Sequence, residues 1–340
     1  MIHPVILDFI DKPINPDTPR LFTVISTFAG CGGSSLGYKW AGGKVLAAVE
    51  WEQNAVDTYR LNHRDTLVMH RDIATVTAQE LFDLCGIKSG ELDIFDGSPP
   101  CQGFSTAGKR QIDDPRNSLF REYVRLLKDL QPKVMVMENV SGMVKGSMKL
   151  VFAEILQELK ACGYTVKAWL LNAKYFGVSQ ARERIIFIGV RNDLGAAPTC
   201  PAAVTEPIPV KVAVNGCVID EDEREWLLSE GEKHRAYDEW EAFGEGGNGR
   251  FGDHYRIDSK KPARTLVKTA ANVSMRSTMH WNEKRRLVSA EYKRLASFPD
   301  AFNFGTWKNC VERIGNTVPP KFMQAIAEHI YHTILEPSHG

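Results

Sequence analysis

The residue of this sequence with the clearest chemical potential is a cysteine in a proline-rich loop. Cys101 follows the apolar run 92–95, in the segment Asp-Gly-Ser-Pro-Pro-Cys-Gln-Gly-Phe-Ser. The two prolines restrict the loop backbone, and the nearby glycines leave room for a flat substrate beside the thiol. A lone cysteine is more often an inert buried residue. The position of this one, in a restricted loop after a strand, favours a nucleophile.

Three earlier segments carry groups that suit an adenosine-containing ligand. The glycine-rich segment 28–37 follows an apolar run and precedes a helical pattern, where glycines let the backbone approach a ligand. It lacks the third glycine of the dinucleotide fingerprint, so an ordinary tight turn is the alternative. Glu50 can accept hydrogen bonds from ribose hydroxyls, and Trp51 offers a stacking face for adenine. Asp72 can accept from an adenine amine or cap a helix.

These positions require a mostly parallel α/β sheet to bring them together. Apolar runs alternate with helical patterns, and the predicted strands are 22–28, 45–49, 66–69, 92–95, 134–137, 165–171 and 185–190. The apolar spacing over 119–130 predicts a helix whose N-cap is Asn117 or Ser118. Because parallel strands end at the same edge of a sheet, the candidate ligand groups should lie along that edge.

Composition bounds the class of protein. The chain has 340 residues, of which 43% are hydrophobic and 25% charged, values typical of a globular protein with one large and one smaller domain. Lys and Arg (42) balance Asp and Glu (42), so a nucleic acid would have to be held by a local basic patch. The seven cysteines have no paired spacing, which disfavours disulfides and a metal site. No apolar run could span a bilayer and no targeting signal is evident, so we expect a cytoplasmic protein without membrane contact.

The second half of the chain is segregated by charge. Four prolines between 198 and 209 predict a linker, and acidic residues prevail over 220–245. Residues 250–294 contain twelve Lys and Arg against four acidic residues, which predicts either a nucleic-acid surface or a solvated basic face. Residues 317–335 predict a final amphipathic helix.

The motifs resemble those of the DNA (cytosine-5) methyltransferases, in the same order and over nearly the whole chain. They are the Phe-x-Gly loop at 28–33, Glu50-Trp51, Asp72-Ile73, Pro99-Pro100-Cys101-Gln102, Asn117-Ser-Leu-Phe, Glu138-Asn-Val, Gln180-Ala-Arg-Glu-Arg, Arg286-Leu through Phe298-Pro299, and Gly315-Asn-Thr-Val-Pro-Pro. The departures from the family pattern are Cys31 in the glycine loop, Arg71 in place of a common glycine, and Ala296-Ser297 in place of the frequent Gln-Gly.

The resemblance implies a catalytic set. Cys101 would add to carbon 6 of cytosine, which makes carbon 5 nucleophilic enough to accept a methyl group. Glu138 would donate a proton to ring nitrogen 3, and its alternative is an exposed helix start. Arg182 would face the base carbonyl or the cysteine. Arg184 would contact a phosphate or form a structural ion pair.

The resemblance also implies S-adenosylmethionine as cofactor and double-stranded DNA as partner. The cofactor-binding residues would be Phe28, Gly30, Cys31, Gly32, Gly33, Glu50, Trp51, Asp72, Ile73, Pro100, Leu119, Asn316 and Thr317. The DNA-binding residues would be Gln102, Ser105, Arg264, Arg285 and Arg286, with both adjacent arginines on phosphates.

The implied architecture is a Rossmann-like methyltransferase sheet with a smaller target-recognition domain. Residues 1–190 would form the catalytic domain, completed by 312–340, and 191–311 the recognition domain. We expect a monomer, and a cognate restriction endonuclease could read the same short site. The alternatives are a tRNA cytosine-5 methyltransferase of the same family and a nicotinamide-dependent oxidoreductase. The length of the recognition segment favours DNA over tRNA.

Overall fold

Strands and helices alternate along the chain in the computed structural model, which describes residues 3–17, 19–100, 118–144, 148–232, 240, 244–248, 254–271 and 277–338. The strands are β1 Phe22–Thr27, β2 Gly43–Glu50, β3 Leu67–His70, β4 Ile94–Gly97, β5 Val134–Val140, β6 Tyr164–Asn172, β7 Gln180–Ala181, β8 Glu183–Arg191, β9 His254–Arg256, β10 Ala263–Arg264 and β11 Ser277–Met279. The α-helices are α1 Pro4–Ile10, α2 Gly33–Trp40, α3 Gln53–Asn62, α4 Ala78–Cys85, α5 Ser118–Leu130, α6 Met148–Ala161, α7 Val210–Ala213, α8 Glu221–Glu232, α9 Ser289–Leu295, α10 Trp307–Asn316, α11 Pro320–Ile330 and α12 Glu336–Ser338. No helix in these ranges is both long and apolar enough to cross a bilayer.

A seven-stranded sheet with the order β3-β2-β1-β4-β5-β8-β6 organises the first two hundred residues. The pairs β2–β3, β1–β2, β1–β4 and β4–β5 are parallel, whereas β5 and β8 are antiparallel. The central strands are buried on both faces, so their sequences read as continuous apolar runs. The prediction of a mostly parallel α/β sheet is confirmed.

Helix α5, the next described element after β4, packs one face on the sheet. Its buried face packs Tyr123, Leu127 and Leu130 on the sheet. The Tyr123 ring stacks on Phe95 with a centroid distance of 4.8 Å, and its hydroxyl lies 3.3 Å and 3.2 Å from the carbonyls of Phe95 and Val136. The helix begins at Ser118, as predicted, while Asn117 lies outside the described residues.

The chain divides into two compact units. The sheet unit comprises Asp17–Leu171, Glu183–Ala202 and Gln324–Gly340. The second unit comprises Met1–Pro16, Asn172–Arg182 and Ala203–Met323. The boundary at residue 202 falls within the proline-rich segment 195–209, which contains neither helix nor strand.

The second unit has short strands that the sequence pattern did not predict. Strand β10 pairs in parallel with β7, and β11 pairs in parallel with β9. Each of these strands has only two or three residues. Such short strands show no measurable alternation of apolar and polar positions, so periodicity cannot identify them.

The predicted start of the final helix at residue 317 is wrong. Thr317 caps the C-terminus of α10, and helix α11 begins at Pro320. The residue before a proline is disfavoured in helical conformation, and proline itself is favoured at the first helical position. Pro319 and Pro320 therefore separate α10 from α11, whereas the sequence pattern predicted a helix that starts at residue 317.

Candidate active site

The carboxyl ends of five neighbouring parallel strands carry the predicted ligand groups. Phe28 follows β1, Glu50 ends β2, Asp72 follows β3, Pro99 follows β4 and Glu138 lies near the end of β5. These strands are adjacent in the order β3-β2-β1-β4-β5, so the five positions lie along one edge of the sheet. The strand order reverses between β1 and β4, which is where open α/β sheets bind ligands.

The loop between β1 and α2 has an unusual backbone. Phe28, Gly30 and Gly32 have φ values of 53°, 55° and 90°, the left-handed region that favours glycine. A Cβ atom on Gly32 would lie 2.2 Å from Nε2 of the buried His63, so this position requires glycine. Burial keeps the pKa of His63 well below its usual value.

Two other predicted cofactor residues of this loop face the interior. Cys31 is 1% exposed, and Gly33, which begins helix α2, is also buried. Both residues therefore offer a ligand almost no exposed surface in this conformation.

The Glu50 carboxylate is locked against the same loop. One oxygen accepts a hydrogen bond from the Gly30 backbone N–H at 2.8 Å, and the other accepts from the N–H groups of Trp51 and Glu52 at 2.9 Å each. A carboxylate has about four acceptor positions, so about one remains for a ribose hydroxyl in this arrangement. Glu50 thus shapes the loop as well as offering a ligand contact.

The remaining predicted cofactor residues of the sheet unit differ in exposure. Trp51 is 72% exposed, which is rare for an indole and leaves a flat apolar face open. Asp72 is exposed, and its side chain accepts from the Ala74 N–H at 3.0 Å, so it caps a short 3₁₀ helix as the alternative reading had it. Ile73 is buried and Leu119 is partly exposed.

The loop that leads to Cys101 is anchored at its first residues. The Ser98 hydroxyl donates to the Phe28 carbonyl at 3.3 Å, and the Asn139 amide donates to the Pro99 carbonyl at 3.1 Å. Pro99 is buried and Pro100 is exposed. Cys101, Gln102 and Ser105 lie outside the described residues. The role of Asn139 was not predicted, although its place directly after Glu138 was the available signal.

Glu138 is paired with one of the two predicted arginines. The Arg184 Nε lies 2.5 Å from the Glu138 Oε1, and both side chains are 12% exposed. The antiparallel register of β5 and β8 places Val140 opposite Arg184. Glu138 is two residues before Val140 and shares its face of the sheet, so the Glu138 and Arg184 side chains can meet there. Of the two roles left open for Arg184, the ion pair is the one present. The ion pair fixes the orientation of the Glu138 carboxyl group.

Arg182 is buried and bound to backbone carbonyl groups of the second unit. Its guanidinium donates to the carbonyls of Leu266 at 3.2 Å and Gly315 at 3.0 Å. It therefore holds the strand pair β7–β10 and the end of α10 together. Next to that end, Asn316 is exposed and Thr317 is buried, and both belong to the second unit.

The structure reassigns Arg285 and Arg286, which the sequence placed on DNA phosphates. Both side chains are buried, at 0% and 2% exposure. Arg285 donates to both carboxylate oxygens of Glu291, at 2.8 Å and 3.0 Å, and to Glu283 at 2.8 Å. Arg286 donates to the Ala270 carbonyl at 3.2 Å. Neither guanidinium faces solvent, so in this conformation neither is available to a phosphate, and we assign both to the interior of the second unit.

Arg264, in contrast, lies on the surface with its guanidinium held in place. The guanidinium stacks over the Tyr255 ring, 3.9 Å from the centroid, and its Nη1 donates to the Asn248 Oδ1 at 2.7 Å. The side chain is exposed at strand β10. An arginine fixed by a ring and an amide presents its other N–H groups in a defined plane.

The departures from the family pattern are accommodated locally. Ser297, in place of glycine, has a φ of 60°, and its hydroxyl accepts a hydrogen bond from the Lys321 N–H at 3.1 Å. Arg71 forms an ion pair with Glu80 at 2.6 Å. Neither departure removes a predicted catalytic group.

Comparison with protein families matches residues 22–332 to the family described as C-5 cytosine-specific DNA methylase. The chain is 37% identical over 331 residues to Type II methyltransferase M1.HphI of Haemophilus parahaemolyticus, covering 91% of this chain and 86% of that protein. It is 31% identical over 343 residues to Type II methyltransferase M.FnuDI of Fusobacterium nucleatum, covering 92% and 95%.

Solved structures share the fold. An E. coli prophage protein described as a candidate DNA modification methyltransferase superposes with a TM-score of 0.76 at 25% identity, covering 92% of this chain and 99% of that one. A DNMT2 variant of Spodoptera frugiperda gives a TM-score of 0.67 at 21% identity, covering 91% and 99%. The second likeness concerns the fold alone.

Proposed function

The chain belongs to the C-5 cytosine-specific DNA methylase family and is a DNA (cytosine-5) methyltransferase, and from this premise we propose how its residues perform the reaction. The observation that carries the proposal is the edge formed by five strand ends, where the anchored Pro99 loop lies beside the strand of the Glu138–Arg184 pair. We propose that the enzyme flips a cytosine out of duplex DNA and methylates it at carbon 5.

The proposed chemistry divides between two residues. The Cys101 thiolate adds to carbon 6 of the ring while Glu138 donates a proton to nitrogen 3, so the ring does not accumulate negative charge. Arg184 orients the Glu138 carboxyl group. After methylation a base removes the carbon 5 proton, and Cys101 leaves carbon 6. The assignment of Cys101 rests on the matched Pro-Pro-Cys-Gln motif.

We propose S-adenosylmethionine as the methyl donor. The residues of the sheet unit fit this ligand: the Gly30 loop has the backbone that a close ligand approach needs, Glu50 has a remaining acceptor position, and Trp51 exposes its ring. When bound, the donor supplies an electrophilic methyl group. In this proposal Glu50 holds the ribose.

Substituting Trp51 by alanine is expected to raise the dissociation constant for S-adenosylmethionine about tenfold, because a stacking contact contributes roughly 1–1.5 kcal/mol. Calorimetry of the protein without DNA measures this. Trp226→Ala, which removes a 43% exposed indole from the second unit, is the matched control and should bind normally. Equal affinity in the Trp51 variant and the parent protein would remove Trp51 from the site.

We propose that the second unit contains the target-recognition surface and that Arg264 reads a guanine in it. A guanidinium held in a plane by Tyr255 and Asn248 is suited to bidentate hydrogen bonds with the O6 and N7 atoms of guanine. We also propose that Gln102 and Ser105 contact DNA near the flipped base, because both follow Cys101 closely in the sequence.

Arg264→Lys is expected to reduce discrimination between the preferred duplex and its single-mismatch variants by about 5–150-fold, because lysine keeps the charge but loses the planar fork. The measurement is competitive binding over a library of duplexes at fixed salt. Lys268→Ala, an exposed charge change in the same unit, should weaken all duplexes alike. Unchanged discrimination in Arg264→Lys would assign Arg264 to a phosphate instead.

The tRNA alternative is not favoured, because the family model describes DNA methylases and the relatives that match over most of their length are named Type II methyltransferases. The same comparisons leave no support for an oxidoreductase. Incubation with methyl-labelled S-adenosylmethionine and either unmethylated duplex DNA or tRNA, followed by nucleoside analysis, tests this. We expect label in 5-methyldeoxycytidine, and label confined to tRNA would overturn the proposal.

The setting of the reaction is also proposed. We infer a protein that acts as a monomer in the cytoplasm, since its substrate is DNA. The Type II names of the relatives support a cognate restriction endonuclease that reads the same site.

A further inference from the structure

Two arginines hold the turn that follows β3, and the first of them comes from helix α5. The turn is a short 3₁₀ helix, Ile73–Thr75, with Asp72 before it and Val76 after it. Arg125 donates through its Nη2 to the carbonyls of Ile73 at 3.1 Å and Val76 at 2.8 Å. A hydrogen bond from a charged, planar guanidinium is stronger than one between neutral groups, so Arg125 fixes the end of the turn against α5.

The second arginine, Arg71, holds the same turn from the position just before Asp72. Its Nε donates to the Thr75 Oγ1 at 3.2 Å, and its Nη2 donates to the Thr75 carbonyl. Its Nη1 donates to Glu80 at 2.6 Å, and Glu80 belongs to the capping box at the start of α4. Three carbonyl groups of the turn therefore accept from guanidinium groups. Arg71 is also the residue that stands where the family pattern has a common glycine.

The side chains of the turn are anchored too, except that of Asp72. Ile73 is 4% exposed and Val76 is 0% exposed, and both belong to the apolar core of the sheet unit. Asp72 is exposed, and its carboxylate accepts from the Ala74 N–H at 3.0 Å. A carboxylate has about four acceptor positions, so most of them remain open to a ligand. The Asp72 carboxylate thus stands on a turn that is held both through its backbone and through the core.

We propose that Arg125 and Arg71 are positioning residues for the cofactor: by fixing the turn, they direct the Asp72 carboxylate at the exocyclic amine of adenine and make the site selective for a 6-aminopurine. Their guanidinium groups are engaged by the turn and by the carboxylates of Glu122 and Glu80. In this proposal they therefore act through Asp72 and do not contact the ligand. The inference rests on the proposed S-adenosylmethionine site, since it concerns how that site recognises the adenine ring.

The exocyclic amine is the group that distinguishes adenine from hypoxanthine at this position. The amine of adenine can donate to the Asp72 carboxylate, whereas the 6-oxo group of hypoxanthine is an acceptor and would face it without a hydrogen between them. Such a mismatch costs more than a missing contact, provided that the acceptor is held in a fixed direction. S-inosylhomocysteine differs from S-adenosylhomocysteine in this part of the purine, so the two ligands form a direct probe of the turn.

The test is calorimetry of both ligands with the full-length protein in the absence of DNA. The parent protein should bind S-adenosylhomocysteine about 10–100-fold more tightly than S-inosylhomocysteine, as expected for one charge-assisted hydrogen bond. Arg125→Ala should reduce this ratio by about 3–10-fold, mainly by weakening S-adenosylhomocysteine, because the turn loses its preorganisation. Lys128→Ala is the matched control: it removes an exposed positive charge from the same helix and should keep the parental ratio.

A merely structural role gives a different result. If Arg125 only stabilises the fold, Arg125→Ala lowers the melting temperature but keeps the parental ratio of the two affinities, and this result would overturn the inference. Asp72→Ala should abolish the discrimination. Adding Arg125→Ala to it should then change the ratio little, since both substitutions act on one contact. A further reduction of the ratio in the double variant, as large as in Arg125→Ala alone, would also count against the inference.

Arg71→Ala provides a second variant if Arg125→Ala does not fold. The Arg71 side chain is 39% exposed, so its removal should leave the fold intact, and the ratio should fall in the same direction by a smaller amount. A folded Arg71→Ala protein with the parental ratio would contradict the proposed role. A parent protein that binds neither ligand would contradict the proposed methyl donor. A parent protein that binds both ligands equally well would overturn this inference alone and leave the donor in place.

Discussion

Replacing Cys101 with serine is expected to lower the rate of methyl transfer by at least about four decades, equivalent to roughly 5.5 kcal/mol of barrier. A serine hydroxyl is scarcely ionised at neutral pH and lacks the nucleophilicity of a thiolate, so it cannot add to carbon 6. The measurement is single-turnover transfer with each variant at saturating DNA. Cys85→Ser is the matched control, because burial raises the pKa of that thiol to about 11 and makes it inert.

Trapping with a fluorinated substrate shows whether Cys101→Ser has lost only its nucleophile or also its fold. Duplex DNA with 5-fluorocytosine at the target should trap the parent protein in a covalent adduct, because fluorine cannot leave carbon 5 as a cation. Cys101→Ser should bind this duplex but give no denaturation-resistant band. Peptide mapping of the adduct to Cys31, or normal methylation by Cys101→Ser, would contradict the assigned nucleophile.

Replacing Arg285 with alanine is expected to reduce the free energy of unfolding by about 3–5 kcal/mol, because it leaves Glu291 buried without its bidentate partner. Burial alone would raise the pKa of Glu291, but hydrogen bonds from His280 and Arg285 lower this pKa to about 2. The ionised Glu291 carboxylate therefore stabilises the fold at pH values above its unfolded pKa of about 4.5. This stabilisation is lost as the pH falls from about 4.5 towards about 2. Urea denaturation at pH 7 measures the difference.

A double substitution provides the control for this prediction. Replacing both Arg285 and Glu291 with methionine removes the charges together and should recover much of the lost stability. If Arg285→Ala kept the parental stability and instead flattened the salt dependence of DNA binding, the buried assignment would be wrong and the phosphate contact would be correct.

The sheet and its ligand edge could be predicted because their signals are local. Buried parallel strands read as apolar runs, and a residue directly after such a run lies at the carboxyl edge. Glu50, Asp72 and Glu138 are found there for that reason. The ion pair of Glu138 with Arg184 could not be predicted in this way, because it depends on the register of β5 and β8, which are distant in sequence.

The burial of Arg285 and Asp96 could not be predicted from the sequence, because it depends on contacts between segments that are distant along the chain. A pair of arginines in a basic segment has the pattern of a phosphate contact, and only the fold brings Glu291 against Arg285. An aspartate at a strand end has the pattern of a ligand contact or a cap, whereas Asp96 points to Ser26 and Tyr38 inside the sheet unit. The available signal was one acidic residue in an otherwise apolar strand.

The most direct test of the central claim is sequencing of DNA from an expression host that has no 5-methylcytosine of its own. Our account predicts 5-methylcytosine at nearly every copy of one short sequence when the parent protein is expressed, and none when Cys101→Ser is expressed. Absence of 5-methylcytosine with the folded parent protein, or methyl groups on an exocyclic amine instead of carbon 5, would contradict it.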